Sequence, residues 1–164
     1  MNILKIIQFI GEKNPKYNWG DLELPTKPVD GKGYMDDNGL KQGEWEEYYR
    51  NGELRYKGNY NDGKKDGYWE KYDYDGQLYF KENYKDGKQD GYWEEYYENG
   101  QLRSKGNYKN DGKKDGYWEG YYRNGELSSK GNYKDGKKDG YWEEYYENGQ
   151  LKMKGNYKDG KRID

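Results

Sequence analysis

Residues 91 to 109 read Gly91-Tyr-Trp-Glu-Glu-Tyr-Tyr-Glu-Asn-Gly-Gln-Leu-Arg-Ser-Lys-Gly-Asn-Tyr-Lys109. Aromatic and polar residues alternate on both sides of Asn99-Gly100, which is the pattern of two strands with different faces. Asn-Gly tolerates positive φ at both positions, as a two-residue type I′ hairpin turn requires. A turn placed there sets Trp93 opposite Gly106, Glu94 opposite Lys105, Glu95 opposite Ser104, Tyr96 opposite Arg103 and Tyr97 opposite Leu102.

The same unit recurs along the chain. Trp45, Trp69, Trp93, Trp118 and Trp142 are 24 residues apart, except for one interval of 25 that contains the additional Asn110. Self-similarity at such a period marks a repeat architecture. Five units start near residues 43, 67, 91, 116 and 140, after a degenerate half-unit over 33–42. Residues 1–32 form a separate segment. Ile3, Ile6, Ile7 and Ile10 have the spacing of an apolar helix stripe, and Pro15, Pro25 and Pro28 mark an irregular leader after it.

Five copies test the register. Under it Glu46, Glu70, Glu94, Glu119 and Glu143 meet Lys57, Lys81, Lys105, Lys130 and Lys154, and opposite charges across strands are favourable. Beside the turn Arg50 and Arg123 would face Glu53 and Glu126. A second turn at Asp86-Gly87 and its equivalents joins one hairpin to the next; carried straight through, it sets Phe80 opposite Trp93 and Glu82 opposite Gly91. The expected fold is all-β, an elongated single-layer antiparallel meander of tandem hairpins with a short N-terminal helix.

Composition agrees with a thin sheet. Leu, Ile, Val and Phe make about a tenth of the chain, a level usual for disorder, but the net charge is only -2 and aromatics reach 19%. Burial must therefore come from tyrosine and tryptophan rings. With no Cys and no His, neither a thiolate metal site nor a histidine base is available. Glu94 and Glu95 are adjacent and so point to opposite faces, and the lysines among the Asp-Gly connections oppose a cation. No catalytic residue, metal or cofactor is expected.

Alternation gathers Trp45, Trp69, Trp93, Trp118 and Trp142 with Tyr49, Tyr97, Tyr122, Tyr146, Tyr108 and Tyr133 on one apolar face. A single sheet has no second layer to cover that face. Either the rings cover each other, or part of the stripe stays open for a partner. These eleven residues are the expected partner-binding set. Lys64, Lys65, Lys88, Lys113, Lys137, Lys138 and Lys161 fall along one sheet edge, where an anionic phospholipid surface is the alternative partner. The sequence pI of about 5.5 disfavours nucleic acid, and no small-molecule substrate is indicated.

The order glycine, tryptophan, paired tyrosines, Asn-Gly, leucine, Gly-Asn-Tyr and Asp-Gly-Lys resembles the MORN-repeat variant found widely in bacteria, over about Gly33 to Lys161. The resemblance implies an elongated hairpin array that associates with proteins and, in some members, with membrane phospholipid. Many bacterial members are antitoxin-like, which implies a non-catalytic binding or neutralising protein. The apolar run from Met1 to Ile10 is broken by Gln8, too short to span a bilayer and without a cleavage pattern after it, so a cytoplasmic protein is expected, peripheral at the membrane in the lipid-binding alternative. Choline- or glucan-binding cell-wall repeats also stack aromatic hairpins, but their units are nearer twenty residues and follow a secretion signal.

Overall fold

The computed structural model describes residues 33–109 and 112–164. The expected N-terminal helix and the inserted Asn110 lie outside these residues. The described chain forms one antiparallel 13-stranded sheet. A half-unit supplies β1 (Tyr34–Met35). The first hairpin is β2 (Lys41–Tyr48) with β3 (Leu54–Asn61), and the second is β4 (Lys64–Tyr72) with β5 (Leu78–Lys85). The third unit begins with β6 (Lys88–Gln89), then β7 (Gly91–Tyr96) and β8 (Leu102–Lys109). β9 (Lys113–Tyr121), β10 (Leu127–Lys134), β11 (Lys137–Tyr145) and β12 (Leu151–Lys158) complete the array, and β13 (Lys161–Arg162) pairs with its end. Strands neighbour one another in chain order, apart from β6, which pairs β5 beside β7.

The central register is the expected one: Trp93 faces Gly106, Glu94 faces Lys105 and Glu95 faces Ser104. The turns are distributed differently. At Asn99-Gly100 only the glycine has positive φ, 79°, and the Gly100 N–H donates to Tyr97 O at 2.9 Å while Tyr97 N–H donates to Gln101 O at 2.8 Å. The loop is thus one residue longer than a two-residue turn and closes through a bulge that sets Tyr96, not Tyr97, opposite Leu102. Arg50 and Arg123 sit within such loops rather than opposite Glu53 and Glu126. The asparagine serves through its side chain: Asn99 Oδ1 accepts Gln101 N–H at 3.1 Å, the Asx arrangement that turns favour.

The type I′ geometry falls instead on the Asp-Gly connections. Asp62, Asp86, Asp135 and Asp159 have φ of 48° to 50°, and the glycine after each is also positive. Beyond these turns two additional residues bulge out. Pairing runs Asn61 with Lys64, Tyr60 with Lys65 and Asn59 with Asp66, then resumes at Gly58 with Trp69. Phe80 consequently faces Glu95, not Trp93. The shift lets one glycine face the tryptophans on both sides of it, as where Gly131 faces both Trp118 and Trp142 and Gly58 faces both Trp45 and Trp69.

Candidate binding surface

The core is a single row of rings running across the strands. All five repeat tryptophans are buried, from 2% exposed at Trp69 to 7% at Trp93. Tyrosines stand edge-on between them: Tyr60 is 4.9 Å from Trp69, Tyr108 is 5.3 Å from Trp118 and Tyr133 is 5.0 Å from Trp142, ring centre to ring centre. T-shaped contacts of this kind are favourable beyond the area they bury. Trp69, Trp118 and Trp142 each lie over a glycine of the preceding strand, so a Cβ on Gly58, Gly106 or Gly131 would collide with them. Indole N–H groups then reach backbone oxygens, Trp69 to Asn59 at 3.0 Å, Trp118 to Asn107 at 3.1 Å and Trp142 to Asn132 at 2.8 Å.

Lysine ammoniums close this row from outside. Lys65 lies 4.4 Å from the Trp69 ring centre, Lys114 4.0 Å from Trp118 and Lys138 4.3 Å from Trp142, within cation–π range. Burial holds Lys65 and Lys114 below the usual lysine range. The expected lysine edge thus divides in two: Lys65 and Lys138 turn onto the aromatic face, joined there by Lys114, while Lys64, Lys88, Lys113, Lys137 and Lys161 stay exposed at the Asp-Gly turns. The expected stripe of tryptophans is therefore filled by its own rings and lysines.

The remaining expected contact residues hold units together. Tyr49, Tyr97 and Tyr122 hydroxyls donate to the backbone oxygens of Tyr72, Tyr121 and Tyr145 in the next unit, at 2.9, 2.8 and 2.7 Å. Asn51, Asn99 and Asn124 amides donate to Tyr74, Arg123 and Glu147 oxygens, at 2.8, 2.9 and 3.1 Å. Tyr146, the last of the set, is 51% exposed. Tyr108 and Tyr133 are half-buried in the ring row.

The second unit departs from this scheme at its junction with the third. Asp73 and Asp75 stand where the other units have the strut tyrosine and asparagine, and Glu82 stands where they have glycine. A carboxylate has no proton to donate to the next turn at neutral pH. Asp73 Oδ1 instead accepts the N–H groups of Asp75 and Gln77 within its own loop, at 3.0 and 2.8 Å. β6 and β7 are separate strands at this point.

On the opposite face the glutamates and lysines form one continuous alternating row, since Lys57, Lys81, Lys105 and Lys130 each face a glutamate on both sides. Ion pairs close between units: Lys57 with Glu70 at 2.5 Å, Lys81 with Glu94 at 3.1 Å, Lys105 with Glu119 at 2.8 Å and Lys130 with Glu143 at 2.8 Å. Phenols flank the carboxylates. Glu94 accepts from Tyr96 and, at 2.7 Å, from Tyr92. Burial raises the Glu94 carboxyl, but the hydrogen bonds from Tyr96, Tyr92 and Lys81 outweigh it and hold the group below the usual range. Burial and the bond to Glu94 push the Tyr92 phenol up to about 12.

That face also carries residues the sequence reading did not single out. Tyr68, Tyr92, Tyr117 and Tyr141 occupy one position in four successive units and are 45%, 44%, 48% and 46% exposed. Their hydroxyls are tied to the glutamate two residues on, at 2.8 Å for Tyr68 and 3.3 Å for Tyr117. Tyr92 faces Asn107 and Tyr117 faces Asn132, both exposed. The signal was present in the repeated Gly-Tyr-Trp, whose tyrosine must point away from its tryptophan neighbour.

Among the described residues no group of three or more acidic side chains is placed to hold a metal ion, and no helix is long and apolar enough to cross a membrane. No curated protein matches the chain. A solved structure, the crystal structure of a GtfA/B complex bound to UDP and GlcNAc, is similar over 83% of this chain, at 14% identity and a TM-score of 0.28. This chain covers 27% of that one. The MORN repeat variant matches at residues 41–62, 65–86, 89–110, 114–135 and 138–159, the five hairpin units just described, and the chain belongs to that family.

Proposed function

We propose that this tandem-repeat scaffold is a non-catalytic protein-binding module that meets its partner on the glutamate–lysine face. The observation that supports this is the row of four half-exposed tyrosines at equivalent positions, since exposed aromatic rings on a rigid surface are the usual anchors of protein contacts. The tryptophan face is filled by its own residues and offers the partner less. Antitoxin-like neutralisation, which the family resemblance implies, is one form of such binding. Affinity capture from the native cell with the intact chain and with a Tyr92→Ser/Tyr117→Ser variant tests the reading. A protein recovered by the first and lost with the second supports it; no reproducible partner refutes it.

A second reading rests on the exposed Lys64, Lys88, Lys113, Lys137 and Lys161, which line one edge and suit an anionic phospholipid surface at the membrane periphery. Co-sedimentation with phosphatidylserine vesicles, weakening as salt is raised, is its expected result. Absence of co-sedimentation at low salt removes it.

A further inference from the structure

We infer that the row formed by Tyr68, Tyr92, Tyr117 and Tyr141 is a docking surface for a proline-rich segment in the polyproline II conformation, one proline ring on each phenol. The inference rests on the protein-binding reading and specifies the chemistry of the partner.

Spacing decides the matter. The four tyrosines lie on β4, β7, β9 and β11, alternate strands of the sheet, so successive rings are separated by two strand spacings, about 9.6 Å. A ligand running along the row must present a contact group at the same interval. A polyproline II helix repeats its face every three residues, about 9.3 Å, and drifts from the row by about 0.3 Å per site. A β-strand repeats its face about every 6.8 Å, out of step with the second ring. An α-helix returns a side chain every second turn at about 10.8 Å, so its error grows to roughly 3.6 Å over three steps. Only the first stays in register over several units.

The chemistry of the face fits the same ligand. Polyproline II has no internal hydrogen bonds, so its carbonyls need donors from the surface that receives it. Asn107 and Asn132 place exposed carboxamides across from Tyr92 and Tyr117. Bonds to Glu70, Glu94 and Glu119 fix the phenol ends of Tyr68, Tyr92 and Tyr117, so the rings are held before a ligand arrives and less entropy is lost on binding. Sheet twist turns successive rings about the long axis of the ribbon, which makes the gain from the second ring steeper than that from the fourth.

The test uses the full chain and fluorescently labelled peptides of one length, (Pro-Ala-Ser)4 with proline every third residue and (Pro-Ala-Ser-Ala)3 with proline every fourth, read by anisotropy. The expected result is binding of the first at least about tenfold tighter than the second, and tighter than the six-residue (Pro-Ala-Ser)2, because neighbouring sites act together. Tyr92→Ser/Tyr117→Ser weakens that binding by about tenfold or more, whereas Tyr74→Ser, at a hairpin tip outside the row, leaves it unchanged; circular dichroism confirms that both variants keep the sheet. Equal affinity for the two periods, or binding of neither, overturns the inference. So does binding of a β-1,4-linked oligosaccharide with no peptide binding. A protein captured from cells through the same tyrosines while these peptides fail would leave the protein-binding reading standing and discard the proline-rich ligand alone.

Discussion

Trp118 and Gly106 interlock: the indole occupies the space above the glycine, and a Cβ on Gly106 would lie 2.6 Å from Cγ of Trp118. That overlap cannot be relieved by a flexible chain end, because the colliding atoms belong to a ring already fixed between Tyr108 and Tyr133 at 5.3 and 6.0 Å. Gly106→Ala is therefore expected to destabilise the array by about 2 kcal/mol, the scale of overpacking in a filled core. Urea unfolding followed by tryptophan fluorescence measures it, and a change below about 0.5 kcal/mol would contradict the packing described.

The strut from each tyrosine to the next unit has a built-in control. Tyr97 donates to Tyr121 O at 2.8 Å, whereas its counterpart Tyr146 is 51% exposed. Tyr97→Phe should cost about 1 kcal/mol, the net value of one hydrogen bond, and Tyr146→Phe should fall within about 0.5 kcal/mol of the parent. Equal effects in thermal melts would mean that the strut does not join units.

Acid should loosen the charged row. Glu70, Glu94 and Glu119 are raised by burial but lowered more by their hydrogen bonds, and Glu143 is lowered chiefly by its bond to Lys130. A carboxyl whose folded value lies below its unfolded value stabilises the fold at neutral pH, and that stability is lost as pH falls through the folded value. Denaturation midpoints should hold steady near neutrality and decline below about pH 4.5, the ordinary glutamate value. At the alkaline end the sign reverses. Tyr60 and Tyr92 are pushed up to about 12, first by burial, so their contribution is complete below pH 10 and disappears as pH rises from there. A midpoint flat across both limits would rule out the network.

The junction between the second and third units should be the weakest. Asp73→Tyr with Asp75→Asn restores the two donors that the other units aim at the following turn, and is expected to add about 1 to 2 kcal/mol at roughly 1 kcal/mol per bond. In hydrogen exchange, amides at the β5–β7 pairing should be the fastest among interior strands of the parent and slow in the double variant. Interfaces between neighbours are the quantity that sets the stability of a repeat array, so an unchanged midpoint would show that the departures at Asp73 and Asp75 are compensated elsewhere.

The repeat, the strand order and the central pairs were legible in the sequence because five copies constrain one another. Glu94 opposite Lys105 makes sense only in a register that also suits Glu46 with Lys57 and Glu143 with Lys154. The turns were less legible. Asn-Gly and Asp-Gly both tolerate a type I′ turn, and the choice between them depended on partners one unit away, since Asn99 is held by Arg123 O at 2.9 Å. The two-residue bulge before Trp69 had no local signal either, and missing it hid the second glycine alignment, that of Trp69 and Trp142 with Gly58 and Gly131 of the preceding unit. Which rings stay accessible was less legible for a related reason. Aromatic density pointed to the tryptophan side, but those rings are large enough to fill their own face, with lysine stems over them, and exposure passed to the tyrosines behind.

The two kinds of turn also differ in what they allow the chain to change. The hairpin loops of the first, third and fourth units, which close on Asn-Gly, are each stitched to the next unit through a tyrosine and an asparagine, so an insertion there would break bonds in two units at once. The Asp-Gly turns are joined to the preceding unit by single backbone bonds, as from Gly87 N–H to Lys65 O and Gly136 N–H to Lys114 O at 2.9 Å, and on that side the array already contains its additional residue, Asn110, with Lys109 still facing Lys113. Length is thus variable along one margin of the ribbon and fixed along the other, and a foreign loop would be grafted with least damage on the margin where Asn110 entered.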